Sequence, residues 1–171
     1  MSYPQIASIE IRPEPLSLEV KWSTGETDVV DMTGVIVRSD VLQPLGNQVG
    51  FASARVINGG DGLGWDVKTP DGEYLDYGAD ALWVLAQEQR PMTGANLRET
   101  REKLGLSQFE LATILDIDER TIRNQEQSRE VSRILRIALR SLTRNRTVVG
   151  AHLTMPPRRP GRPRGATTKR T

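Results

Sequence analysis

Two helix-start signals stand close together in the middle of the chain: Ser107 with Glu110 three residues on, and Asp118 directly before Glu119. A serine followed by glutamate at that spacing forms a capping box, and an aspartate carboxylate accepts from the first free amides of a helix. A helix over Gln108 to Leu115 must therefore end and turn within Asp116-Ile117 before another begins at Glu119. Upstream, Ala95 to Leu104 reads as a helix with Leu97, Arg101 and Leu104 on one side, ended by Gly105. Leu111, Ala112, Leu115, Ile117 and Ile122 are the expected core, with Ala112 small enough to let two helices cross closely. The pattern fits a helix-turn-helix, although general helical hairpins share parts of it.

The period differs before residue 90. Ile6 to Ile11, Leu16 to Trp22 and Thr27 to Asp31 are short runs rich in branched and aromatic residues, and the turns between them carry Pro13, Pro15 and Gly25. They predict a three-stranded meander. A short helix or turns over 34–50 would close one face of it. Extended pieces are expected at Phe51 to Ile57, at Trp65 to Val67 and at Tyr74 to Tyr77, with a glycine-rich loop over 58–64 and a helix over Ala79 to Gln87. The fold class is α+β, with an α+β unit at 1–88 followed by an all-α unit at 91–147 and a tail at 148–171 without apolar period, expected to be disordered.

Charge divides the same way. Residues 1–90 hold 6 Lys and Arg against 14 Asp and Glu, residues 91–143 hold 9 against 8, and residues 144–171 hold 8 with no acid. The acidic first unit would repel DNA and suits a protein partner or its own copy, whereas the basic tail suits phosphate. After the central helices, Val131, Leu135, Ala138 and Leu142 form an apolar stripe within a helix expected over Arg129 to Thr143. Ile134, Ile137 and Leu139 widen that stripe, and a second copy would absorb the excess, so a homodimer is expected.

Several function classes are disfavoured. The chain has 0 Cys and 1 His, which removes disulfides, thiolate sites and thiol chemistry and leaves no metal or cofactor expected. The carboxylates of the first unit lie mostly in turns, where aspartate is simply a good turn former. Gly59, Gly60, Gly62 and Gly64 lack the Lys-Ser/Thr of a phosphate loop, and no nucleophile, base and orienting group assemble in the pattern, so an enzyme is not expected. The start MSYPQIASIEI lacks the basic and apolar stretches of a secretion signal, and no run approaches membrane-spanning length, so the expectation is a cytoplasmic protein with no membrane partner.

Three resemblances sharpen this reading. The order LEVKWSTGE, VVDMTG, GWDVKTPDGEYLDYGADAL resembles the DUF2442 family over about residues 4–87, which implies a small α+β fold often joined to a DNA-binding domain. The string LRETREKLGLSQFELATILDIDERTIRNQE resembles the helix-turn-helix family of the phage repressors and Cro, the XRE type, over about 94–142. That resemblance implies a lambda-repressor-like fold in which Gln108 contacts a backbone phosphate, with Thr121 as a further phosphate candidate. It also implies that Glu119, Arg120, Arg123 and Asn124 stand exposed toward base edges, and that Arg101 and Glu126 form an internal ion pair. Asp116 replaces the family's usual turn glycine, and Gln125 its usual aromatic residue. Glu119 could accept from cytosine N4 or simply favour the helix N-terminus. Arg158 to Gly165 resembles a degenerate AT-hook around Gly161-Arg162-Pro163, implying minor-groove or phosphate contact by Arg158, Arg159, Arg162 and Arg164.

The function these residues predict is that of a transcriptional regulator binding double-stranded DNA sequence-specifically as a homodimer, without a chemical step. The alternative is an antitoxin-like module that neutralises a partner through its acidic unit and represses its own promoter.

Overall fold

The structure, a computed structural model, describes residues 3–153. The chain divides into two compact units between Pro91 and Met92. The arginines expected to contact DNA from the tail, Arg158, Arg159, Arg162 and Arg164, lie outside the described residues.

The first unit carries two antiparallel three-stranded sheets. Strands β1 (Ile6–Ile11), β2 (Ser17–Trp22) and β3 (Thr27–Asp31) form one sheet in sequence order. Leu18, Val20 and Trp22 alternate inward along β2, with Leu18 opposite Val30 of β3, and all four are buried. Helix α1 (Thr33–Arg38), a 3-10 turn at Gln43–Gly46 and helix α2 (Gln48–Ala52) then add Ile36, Leu45 and Phe51 to the core. Strands β4 (Arg55–Ile57), β5 (Gly62–Lys68) and β6 (Tyr74–Gly78) form the second sheet, and helix α3 (Ala79–Gln89) follows.

Two expectations about this unit need correction. Phe51 and Ala52 close helix α2 rather than open a strand, so β4 is only three residues long. Gly62, Leu63 and Gly64 belong to β5 and not to a loop. Their glycines answer a packing demand: a Cβ on Gly62 would lie 3.0 Å from the Tyr77 carbonyl oxygen, and one on Gly64 would lie 2.9 Å from Ile57 Cγ2. The turn proper is Asn58 to Gly60, three consecutive residues at positive φ.

The last turn of α3 is tied to the first sheet. Gln89 Oε1 accepts from the Asp31 amide at 2.8 Å, and Gln89 Nε2 donates to the Asp31 carbonyl at 2.7 Å. Arg90 donates to both Asp28 carboxylate oxygens, at 2.6 and 2.8 Å, and Trp22 Nε1 donates to Oδ2 at 2.8 Å. Trp83 stands edge-on to Trp22 with ring centres 4.9 Å apart, and the Arg90 guanidinium lies over it. Burial alone would raise the Asp28 carboxyl, but the Arg90 and Trp22 hydrogen bonds outweigh it and hold it below its ordinary value.

The second unit is helical: α4 (Gly94–Lys103), α5 (Gln108–Ile114), α6 (Glu119–Glu126), α7 (Arg133–Arg144) and α8 (Arg146–His152). Its core is Leu97, Leu111, Ala112, Ile122, Leu135, Leu139 and Leu142, with Met92, Leu106 and Val131 from the connections. Gly105 takes φ 74° after α4, and the Leu106 amide then returns to the Arg101 carbonyl.

Here too the sequence reading is corrected in places. The expected helix over Arg129 to Thr143 begins only at Arg133, because the Val131 amide instead bonds the Met92 carbonyl at 2.8 Å. Leu139 enters the core while Ala138 is only half-buried. Ile117, an expected core residue, is 39% exposed. Its amide closes the turn onto the Ala112 carbonyl after Asp116 adopts φ 52°, which leaves the side chain outside. The tail expected from residue 148 starts later, since Val148 and Val149 lie in α8 and pack against the core.

Candidate nucleic-acid interface

Helices α5 and α6 are each started by a side chain that answers an otherwise free amide. Ser107 Oγ accepts from the Glu110 amide at 3.1 Å while Glu110 Oε2 accepts from the Ser107 amide at 2.7 Å. Asp118 Oδ1 accepts from the Arg120 amide at 2.6 Å. Between them Leu115 to Asp118 reverse the chain, with Asp116 in the left-handed region that glycine adopts most easily.

A buried ion pair ties the end of α6 to α4. Arg101 Nε donates to Glu126 Oε1 at 2.6 Å, and Nη2 to Oε2 at 3.2 Å, while Nη1 donates to the Leu106 carbonyl at 2.7 Å. The Glu126 side chain is 1% exposed and that of Arg101 9%. Burial opposes ionisation of Glu126, yet hydrogen bonds from Arg101 and Gln108 hold its carboxyl below the ordinary value. Hydrogen bonding to Glu126 in turn raises Arg101. The fork geometry makes the pair a brace between α4 and α6.

Gln108 belongs to the same cluster. Its Nε2 donates to Glu126 Oε2 at 2.7 Å, and Arg98 Nε approaches that oxygen at 3.4 Å. An amide nitrogen carries two hydrogens, so the bond to Glu126 leaves Gln108 one donor. Spacing alone revealed neither this inward bond nor the part played by Arg98.

With Ile122 and Glu126 turned inward, the opposite side of α6 presents Arg120, Thr121, Arg123 and Asn124 to solvent. Arg120 and Asn124 are one turn apart and share a face. Glu119 is half-exposed and pairs with Arg123 at 2.9 Å, so those two groups are held by one another. The structure thus gathers Gln108, Arg101 and Glu126 in the brace and sets the other four, with Glu119 at the edge, along one outer face.

Among the described residues no group of three or more His, Cys, Asp or Glu side chains is arranged to hold a metal ion. No helix among them is long and apolar enough to cross a membrane.

No protein-family model and no curated protein matches the chain. A solved crystal structure from Nitrosomonas europaea, described as a "Putative DNA Binding Protein", is similar at 20% identity, covering 84% of this chain and 89% of that one with a TM-score of 0.39.

Proposed function

We propose that the chain binds double-stranded DNA sequence-specifically and regulates transcription, with its second unit acting as a helix-turn-helix of the lambda-repressor and XRE type. The observation that carries this reading is the outer face of α6: Arg120, Thr121, Arg123 and Asn124 stand exposed on a helix braced from behind by the buried Arg101–Glu126 pair. A braced helix spends little conformational freedom when its side chains meet a partner. In the major groove Arg120 is suited to guanine O6 and N7, and Asn124 to adenine N6 and N7. Glu119 and Arg123 contribute to base edges once their mutual bond opens. Gln108, through its second amide hydrogen, and Thr121 fix register on phosphate.

The protein acts as a homodimer on a short inverted repeat. Ile134 and Ile137 favour this, because α7 leaves them 83% and 50% exposed beside a core that needs neither. The tail arginines add affinity without sequence preference.

Selection of bound duplexes from a random pool with the full chain tests the proposal. One enriched motif with two-fold symmetry is expected, and its enrichment should vanish for Asn124→Ala. A pool that returns no motif would overturn the reading.

A further inference from the structure

Glu126 Oε2 receives more donors than it needs. Gln108 Nε2 reaches it at 2.7 Å, Arg101 Nη2 at 3.2 Å and Arg98 Nε at 3.4 Å. A carboxylate oxygen offers about two lone-pair sites, and the two shorter bonds fill them. The burial of Glu126 is thus satisfied without Arg98. Exposure separates the groups in the same way, since the Arg98 side chain is 54% exposed against 1% for Glu126 and 9% for Arg101. So does charge. The Arg101 fork matches the single negative charge of Glu126, which leaves the charge of Arg98 in excess at that carboxylate. The other carboxylates of α4 are engaged elsewhere, Glu99 with Lys103 at 2.7 Å and Glu102 beside Arg101 at 3.6 Å.

What remains on Arg98 is a half-exposed cationic fork. Its Nε is held by Glu126, and among the described residues the donors on Nη1 and Nη2 have no hydrogen-bond partner. Gln108 keeps its second amide hydrogen. Two donors held at 3.4 and 2.7 Å by one oxygen stand no more than about 6 Å apart. Hydrogen bonds of about 2.9 Å to the two free oxygens of one phosphodiester bridge such a gap. The two side chains also differ usefully in kind. A neutral amide positions a phosphate without neutralising it, whereas a guanidinium does both.

We propose that Arg98 and Gln108 form a two-donor clamp for a single phosphodiester of the duplex, in which Arg98 supplies the charge and Glu126 holds both side chains in register. The clamp rests on the reading of the second unit as a DNA-binding helix-turn-helix. It adds a cation from α4 to contacts otherwise drawn from α5, α6 and the tail. It also gives Glu126 a second task, because the carboxylate that braces α6 then aligns the backbone contact as well.

The test is a salt titration of binding by fluorescence anisotropy, with the full chain on a selected duplex and on a random one. Arg98→Ala should weaken both by about tenfold and reduce the slope of log affinity against log salt by about 0.9 for each chain bound, the counterion release of one phosphate contact. Lys103→Ala removes the same charge from α4 at a position about 140° further round the helix, and should change both affinities by less than about twofold. Arg98→Lys keeps the charge without the fork and should restore the slope while binding stays about threefold weaker than the parent. Gln108→Ala should weaken binding and leave the slope unchanged.

An uncharged methylphosphonate is then placed at each backbone position of the selected duplex in turn. The parent should lose affinity at several positions, and at one of these in each half-site Arg98→Ala and Gln108→Ala should both lose less than the parent does. An unchanged salt slope for Arg98→Ala, in a protein with the parent's melting temperature, would overturn the clamp and leave Arg98 a brace residue. If Arg98→Ala melts lower, Arg98→Lys and the backbone scan decide, and a scan in which no position depends on residue 98 would overturn it equally. Dependence of the two variants on different positions would overturn the sharing of one phosphate. A chain that binds no duplex overturns the underlying reading, whereas one that selects a motif and fails these tests overturns the clamp alone.

Discussion

Gly94 and Glu126 meet backbone to backbone: a Cβ on Gly94 would fall 2.5 Å from the Glu126 carbonyl oxygen and 2.6 Å from that of Gln125. The same glycine's amide donates to the Ser128 carbonyl at 3.1 Å, so the first turn of α4 is packed directly against the end of α6. The side chain of Glu126 faces Arg101 while its backbone faces Gly94, and α6 is thereby located from two directions.

Gly94→Ala should therefore separate α4 from α6. Overpacking against backbone, which yields little, costs about 1–3 kcal/mol and lowers the melting temperature of a small unit by roughly 4–24 °C. Gly150→Ala is the control, because a Cβ there meets nothing within 4 Å. Circular dichroism at the helical minimum should show the first variant destabilised and the second unchanged or slightly stabilised.

Arg101→Ala leaves the Glu126 carboxylate buried with Gln108 and the marginal Arg98 contact as its remaining side-chain donors. The expected loss is about 3–5 kcal/mol, against less than about 0.5 kcal/mol for the exposed Arg133→Ala. Chemical denaturation of both variants decides the matter. Equal stabilities would show that the pair contributes no net brace.

Acid should act through the same cluster. The folded Glu126 carboxyl titrates below its ordinary 4.5, so its contribution is complete above that pH and is lost as pH falls through the lower folded value. Asp28 behaves likewise below its ordinary 3.8 in the first unit. Melting curves between about pH 6 and pH 2.5 should show the helical unit losing stability below about pH 4.5, and Glu126→Gln should flatten that slope. A variant with the parent's acid slope would remove Glu126 from the account.

Sequence preference and general attraction should separate by mutation. Asn124→Ala and Arg120→Ala should each cost about 1–3 kcal/mol on a selected duplex and leave random duplex nearly unaffected. Deletion of 156–171 removes six cations and should weaken both, with a shallower dependence on log salt. Salt titrations on matched duplexes provide the comparison. Loss of preference on tail deletion, with the two α6 variants retaining it, would show that α6 is not the reader.

Much of this architecture was legible because its signals are local. Capping at Ser107/Glu110 and Asp118 depends on residues within three positions, and the strands at 6–11 and 27–31 are runs rich in branched residues that end against the turns at Pro13 and Gly25. The misreadings occur where a distant neighbour decides. Gly62 and Gly64 look like loop residues until Tyr77 and Ile57 press on them from adjoining strands. Val131 has helical periodicity, yet Met92 captures its amide. At the candidate interface, the exposed row on α6 follows from the position of Ile122, whereas the inward bond of Gln108 and the approach of Arg98 depend on how three helices meet around one carboxylate.

The tryptophan pair beside Arg90 has a practical corollary. Trp22, Trp65 and Trp83 are all the tryptophans in the chain, and Tyr3, Tyr74 and Tyr77 all the tyrosines, so every strongly absorbing ring precedes residue 90. Ultraviolet emission is therefore a gauge of the first unit alone, and the helical unit is optically dark. A single tryptophan placed at the half-exposed Phe109 would give it a lamp of its own, and the order in which the two units come apart could then be watched in one cuvette.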